Sequence, residues 1–224
     1  TSAILNDVQA VAEEHRKRQC TFSVHAMSSF GGVDIPVKDW GIDFLISSAN
    51  KCIQGVPGFS FIIADKQKLK ACAGKARSLS LDLYDQWKTM DKDGKWRFTS
   101  PTHVVLAFEQ AMRELKEEGG IPARSRRYAE NGKLLRREME KLGFKAYIPE
   151  EMQGPIITTF FYPENCKYTF AQMYAYIKSQ GYAIYPGKVT EAETFRIGNI
   201  GEIYEEDIVD LIGIIREFLE ARAA

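Results

Sequence analysis

No stretch of this chain approaches the ~20 apolar residues needed to span a bilayer, and no charged-then-apolar leader opens it. A membrane-spanning class is set aside on that pattern, and a soluble cytoplasmic protein is the expectation. An excess of one charge sign is lacking too. Thirty basic residues balance thirty acidic ones, so no global field draws the chain to nucleic acid or to an anionic membrane. The local cluster Arg124, Arg126 and Arg127 reads as a solvated helix face. Cysteine is sparse and scattered. Cys20, Cys52, Cys72 and Cys166 form no CxxC pair, which fits thiols in a reducing compartment better than a disulfide frame or a zinc site. His15, His25 and His103 form no ligand cluster, so no structural metal is expected. Repeats and low-complexity segments are also missing. What is present is 224 residues with 45% hydrophobic content, enough for a sizeable core and for one large domain or one and a half ordinary ones.

The chain opens TSAILND without a methionine and reads as part of something longer. Asp7 to Arg18 carries Val8, Val11 and Ala12 at helical spacing and is followed by a strand, TFSVHA. The small residues and Gly-Gly pair of AMSSFGG then mark a tight turn at a sheet end, where open α/β sheets bind ligands. Strands at 43–47 and 59–64 follow, and the alternation predicts a mostly parallel α/β layer with helices on its faces. Leu69 to Arg97 is less periodic and reads as a loop or strap at a subunit contact. Ser100 as N-cap and Pro101 open a helix with Val104, Phe108, Ala111, Met112 and Leu115 on one stripe, stopped by Gly119 and Gly120. A second helix over about 122–142 leads into shorter elements: FKAYI, PIITTFFY, a helix capped by Thr169, YAIYPG, TFRIGN and a final helix burying Ile208, Leu211, Ile212, Ile215, Phe218 and Leu219. The expected division is 1–121 for the α/β layer and 122–224 for a small α+β domain, two helices over a small antiparallel sheet.

Within SSANKCIQGVPGF, Lys51 sits in a Gly-Pro turn between two apolar strands. An amine held there is expected to be screened from bulk water, which lowers a lysine's pKa and exposes the neutral nucleophile that Schiff-base chemistry requires. The competing reading is a surface lysine in a β-turn. Arg196, inside the otherwise apolar TFRIGN, is the second residue that needs explaining. A guanidinium on such a strand is costly unless it meets an anion, and either a ligand carboxylate or phosphonate, or an internal partner such as Glu202, satisfies it.

The ordered set VHAMSSFGG, LISSANKCIQGVPGF, KWRFTSPTH, YPGK and FRIGNIG resembles the 2-aminoethylphosphonate:pyruvate transaminases, class V members of the fold-type I pyridoxal-phosphate enzymes. The likeness spans nearly the whole chain. It implies the C-terminal part of a fold-type I large domain plus a small α+β domain, with pyridoxal 5'-phosphate as cofactor, 2-aminoethylphosphonate and pyruvate as substrates, and a homodimer as the working assembly. By the same resemblance Lys51 is the Schiff-base lysine and proton shuttle. Thr99 reaches toward the cofactor phosphate of the other subunit, and Arg196 clamps the phosphonate or carboxylate. Ser47 and Asn50 flank the lysine as cofactor contacts. Related class V activity on alanine and glyoxylate, and a catalytically silent dimerisation scaffold, are the alternatives.

Two departures qualify the resemblance. His25 stands where the family has the aspartate that pairs with the pyridinium nitrogen, and an imidazole accepts a hydrogen bond there without supplying negative charge. Schiff-base formation is expected to survive, with slower transamination. The Gly-rich phosphate loop and the ring-stacking aromatic of the family precede the segment at which this chain starts. Weak cofactor binding and little activity by the chain alone are therefore expected.

Overall fold

The computed structural model describes residues 3–18, 20–164, 166–187 and 193–223. Lys188, the last residue of YPGK, lies outside the described residues. The chain divides into two compact units, one of residues 7–30 and 35–114 and the other of 1–6, 31–34 and 115–224. Among the described residues no helix is long and apolar enough to cross a membrane.

In the first unit, α1 (Val8–His15) starts at Asp7, whose carboxylate accepts the Ala10 N–H. Three strands form one sheet in sequence order: β1 (Ser23–His25), β2 (Phe44–Ser48) and β3 (Ser60–Ala64). β1 and β2 are parallel, with His25 opposite Ile46. β3 returns antiparallel to β2, Ser48 opposite Ser60. The 49–59 connection is shorter than the dozen or more residues that a parallel crossover needs, so it can only fold back. Leu45 and Ser47 are fully buried on one face of β2 and join Val24, Ala49, Cys52 and Ile53 in the core. Asp43, just before β2, is buried as well. Its carboxylate accepts the Phe22 N–H at 2.8 Å and faces the Lys68 amine at 3.5 Å. β3 is half-exposed, with Phe61 against Phe30 and Phe108.

A short helix, α2 (Lys66–Lys70), ends at the start of the expected strap over 69–97, and the strap contains one whole helix, α3 (Leu83–Asp93). Asp82 caps α3 by accepting the Asp85 N–H, and Gly94 ends it in the left-handed region at φ 75°. No α3 residue is buried, so the core stripe that betrays a helix in sequence is missing. α4 (Thr102–Glu117) begins one residue after Pro101, and the boundary between the units falls within it.

The second unit holds α5 (Gly120–Lys141), β4 (Ile157–Phe161), α6 (Phe170–Ser179), β5 (Tyr185–Pro186), β6 (Thr194–Gly198) and α7 (Glu205–Ala223). The strands form an antiparallel sheet in the order β4-β6-β5. FKAYI contributes a single bridge, Ala146 to Phe160, rather than a strand. Phe160, Phe195 and Ile197 stand on the core side of the sheet. Leu135 and Met139 of α5, Met173 and Ile177 of α6, and Ile208, Ile215 and Phe218 of α7 pack with them, so three helices close this core, not two. Each fully buried large side chain contributes about 1.5–3 kcal/mol relative to exposure. Thr169 and Gln172 form a reciprocal capping box at the start of α6.

The Arg124 cluster departs from its reading as a solvated face. Only Arg126 is exposed. Arg124 is fully buried, its Nε donating to the Glu118 carboxylate at 2.7 Å and its Nη2 lying 2.6 Å away. Arg127 Nε donates to the other Glu118 oxygen at 2.9 Å, and its Nη1 donates to the carbonyls of Gly201 and Ile203. Burial would raise the Glu118 carboxyl, but the hydrogen bonds from Arg127 and Arg124 outweigh it and hold the group below the usual carboxylate range.

Candidate active site

Local backbone bonding fixes the turn that carries Lys51. Gly55 N–H donates to the Ala49 carbonyl at 2.8 Å and Gln54 N–H to the Lys51 carbonyl at 2.8 Å, closing 49–55 into a ring. Ala49 N–H reaches Phe59 O at 3.4 Å and seals the ring against the start of β3. Glycine at 55 is required by proximity, because a Cβ there would lie 2.7 Å from the Ala49 oxygen and 3.3 Å from the Phe108 ring. Gly58 is required in the same way, since its Cβ would lie 2.7 Å from Val104. The Cys52 thiol faces the Ser28 carbonyl at 3.5 Å, joining the lysine turn to the turn after β1.

The two turns follow the C-terminal ends of the parallel pair β1 and β2, the edge at which α/β sheets offer ligand sites. Between them opens a cleft of about 650 Å³, lined by His25, Met27, Ser48, Asn50, Lys51, Gly58, Phe59 and Ser60. That volume lies within the range of small-molecule and cofactor pockets. The cleft brings together an amine, an imidazole, an amide and two hydroxyls.

The structure gathers His25, Asn50 and Lys51 and leaves Ser47 out. The Ser47 hydroxyl is buried on the opposite face and donates to the Ala26 carbonyl at 3.3 Å. Ser48 takes the cleft position instead, as strand alternation requires. Thr99 does not line the cleft either. It is exposed, in the segment just before α4. The expected screening of Lys51 from water does not hold: the side chain is exposed, because Cys52 and Ile53 occupy the buried positions of the turn. His25 is exposed as well, on the open face of β1.

Arg196 belongs to the second unit, in the middle of β6, and is 8% exposed. Its Nε donates to the Pro186 carbonyl at 3.1 Å and its guanidinium lies 5.9 Å from the Tyr185 ring. Glu202 is not its partner. That carboxylate accepts the Tyr204 hydroxyl at 2.5 Å, and no described carboxylate pairs with Arg196.

The sequence pattern of the family "Aminotransferase class-V" matches residues 2–193, and the chain belongs to that family. It is 56% identical, over 98% of its length, to the 2-aminoethylphosphonate--pyruvate transaminase of Lysinibacillus sphaericus, and 55% identical over 97% to that of Bacteroides fragilis. It is 52% identical over 98% to the bifunctional phosphonoacetaldehyde hydrolase/aminoethylphosphonate transaminase of Clostridioides difficile. The chain spans about 60% of the first two relatives and 35% of the third. Among solved structures, the pyridoxamine-pyruvate aminotransferase of Mesorhizobium loti superposes with a TM-score of 0.87 at 19% identity, covering 100% of this chain and 58% of that one. The subgroup IV aspartate aminotransferase of Thermus thermophilus gives 0.85 at 22%, covering 98% and 62%. These likenesses establish a fold-type I aminotransferase architecture, of which this chain carries a part.

Proposed function

We propose that this chain serves the transfer of the amino group of 2-aminoethylphosphonate to pyruvate, giving phosphonoacetaldehyde and alanine, with pyridoxal 5'-phosphate held at Lys51. The observation that carries the reading is Lys51 in its closed ring, facing a cleft with His25, Ser48, Asn50 and Ser60. The identities of 52–56% to relatives named for that reaction supply the substrate pair.

The donor set fits the cofactor. A primary amine pairs with its aldehyde, an imidazole can face the pyridine nitrogen, and hydroxyl and amide groups suit its phenolic and phosphate oxygens. When bound, the cofactor supplies the electron sink for charge at the amine-bearing carbon. Lys51 Nζ holds the cofactor and then takes and returns the proton at that carbon. Asn50 orients from the same turn. His25 accepts or donates one hydrogen bond but brings no carboxylate charge. Thr99, exposed ahead of α4, reaches the cofactor phosphate of a second subunit in a homodimer. Arg196, buried without a carboxylate partner among the described residues, receives the phosphonate of one substrate and the carboxylate of the other. The cytoplasm is the compartment consistent with this chemistry.

The test has two readouts. Borohydride reduction of the chain with pyridoxal phosphate should fix a pyridoxyl group on Lys51, located by peptide mass. In a separate, unreduced sample phosphonoacetaldehyde should form from 2-aminoethylphosphonate with pyruvate, slowly for the chain alone, in preference to any glyoxylate-dependent loss of alanine. Labelling spread evenly over surface lysines would sink the Lys51 assignment. Preference for alanine and glyoxylate would sink the substrate assignment. His25 in the cleft supports a second reading, a dimerising scaffold, which predicts labelling of Lys51 without turnover.

A further inference from the structure

We infer that Thr159 determines specificity at the anionic end of the substrate, as a third donor beside Arg196 that favours a tetrahedral phosphonate over a planar carboxylate. The inference rests on the proposed role of Arg196.

Thr159 is directly opposite Arg196 on the antiparallel β4–β6 ladder. Opposed residues project from the same sheet face with Cβ atoms about 4.5–5.5 Å apart. Thr159 is 0% exposed, and its hydroxyl has no hydrogen-bond partner among the described residues. A buried hydroxyl in that state carries a desolvation penalty that a ligand oxygen would relieve. Across from it, the Arg196 Nε is taken by the Pro186 carbonyl and the Tyr185 ring flanks the guanidinium. The two terminal nitrogens of Arg196 have no described partner. Those nitrogens match the two oxygens of a carboxylate. A phosphonate presents a third oxygen, which needs a third donor, and Thr159 is the hydroxyl in register to give it.

Neighbouring threonines do not offer the same thing. Thr158 is opposite Ile197, on the core side of the sheet. Thr194 shares the Arg196 face and its hydroxyl is likewise buried without a described partner, but it stands two residues along β6, opposite Phe161 and not opposite Arg196.

The test titrates the full chain with ethylphosphonate and with propionate by calorimetry, in parent and variants checked by circular dichroism. The parent should bind ethylphosphonate the more tightly. Thr159→Val should weaken ethylphosphonate by about tenfold, the scale of one hydrogen bond to a charged group, and leave propionate within about twofold. Thr159→Ser should restore the preference. The greater charge of the phosphonate is unchanged by Thr159→Val, so a fall in the ratio reports the hydroxyl alone. Because no described group bonds to that hydroxyl, Thr159→Val should melt no lower than the parent. If it does melt lower, Thr159→Ala takes its place in the titration. Arg196→Gln and Arg196→Lys should each weaken both anions. If the arginine variants lose binding while Thr159→Val keeps the ratio, the Thr159 inference fails and the clamp stands. If the parent shows no preference for ethylphosphonate, the inference falls alone; if the arginine variants bind both anions as the parent does, both the clamp and the inference fall.

Discussion

Gly55→Ala tests whether the ring around Lys51 positions the amine. The new Cβ would sit 2.7 Å from the Ala49 oxygen, a separation real Cβ atoms essentially never show, and 3.3 Å from the Phe108 ring. One contact is a backbone carbonyl, so relief comes from opening the ring and stretching the 2.8 Å bond from Gly55 N–H to Ala49 O. Losing that bond costs about 1 kcal/mol and overpacking about 1–3 kcal/mol more. A total of about 3 kcal/mol lowers the melting temperature by about 6–12 °C for a chain of this size. Lys51 lies inside the same ring, and displacing a reacting group by about 1 Å costs on the order of 100-fold in rate. The assay pairs thermal melts with the rate at which borohydride fixes pyridoxal phosphate on Lys51. Gly213→Ala is the control. It lies within α7 with nothing within 4 Å of its Cβ, so it should be neutral or stabilising by up to about 1 kcal/mol. A Gly55→Ala chain that melts with the parent and labels Lys51 as fast would refute the reasoning.

Three further outcomes follow from the geometry. Glu118→Gln keeps the shape of the side chain but takes the charge from between Arg124 and Arg127, and should destabilise by about 2 kcal/mol at pH 7, since the carboxylate is only partly screened. Because the Glu118 carboxyl is held low, the parent's advantage is complete above the ordinary glutamate pKa near 4.3 and is lost as pH falls through the depressed folded value. Melts that stay equally far apart into strong acid would contradict this. Burial, a hydrogen bond to Asp210 and the charges of Asp210 and Asp207 push the Tyr182 phenol up to about 12, so stability should decline as pH rises from about 10 to 12. Tyr182→Phe should flatten that decline in alkaline melts. His25→Asp places a carboxylate in the cleft and should speed the amino-transfer half-reaction while leaving the rate of Lys51 labelling within about threefold. Equal half-reaction rates for the two chains would remove the argument for charge at this position.

The elements legible in the sequence are those whose side chains face a core. α7 presents Ile208, Leu211, Ile212, Ile215 and Phe218 to the sheet of its unit, and that spacing is plain in the sequence. The capping box of Thr169 and Gln172 marks the start of α6 as directly. α3 was hidden for the converse reason: Tyr84, Trp87 and Met90 lie on a helix with no buried residue, so no stripe separates it from a loop. The arginine cluster misleads because charge alone does not reveal its partner. Glu118 lies six and nine residues before Arg124 and Arg127, across the Gly119–Gly120 break, where i, i+4 reasoning does not reach.

At the site, sequence finds chemistry more readily than orientation. Lys51, Asn50 and His25 stand out by residue type beside a sheet end, and the fold brings them to one cleft. Ser47 and Ser48 are identical in type and differ only in parity along β2. Parity is set by which face the sheet buries, and Leu45 settles it: fully buried, it assigns Ser47 to the same side and Ser48 to the other. The alternation rule was therefore available in the sequence, but its phase was not, because Phe44 and Ile46, half-buried on the other face of β2, are as apolar as Leu45. The same ambiguity governs Thr158 and Thr159. Only pairing with β6 shows that Thr159, and not its neighbour, shares a face with Arg196. A single buried arginine on one strand thus fixes the phase of the strand beside it, and gives a hydroxyl that residue type alone leaves anonymous a defined place at the anion.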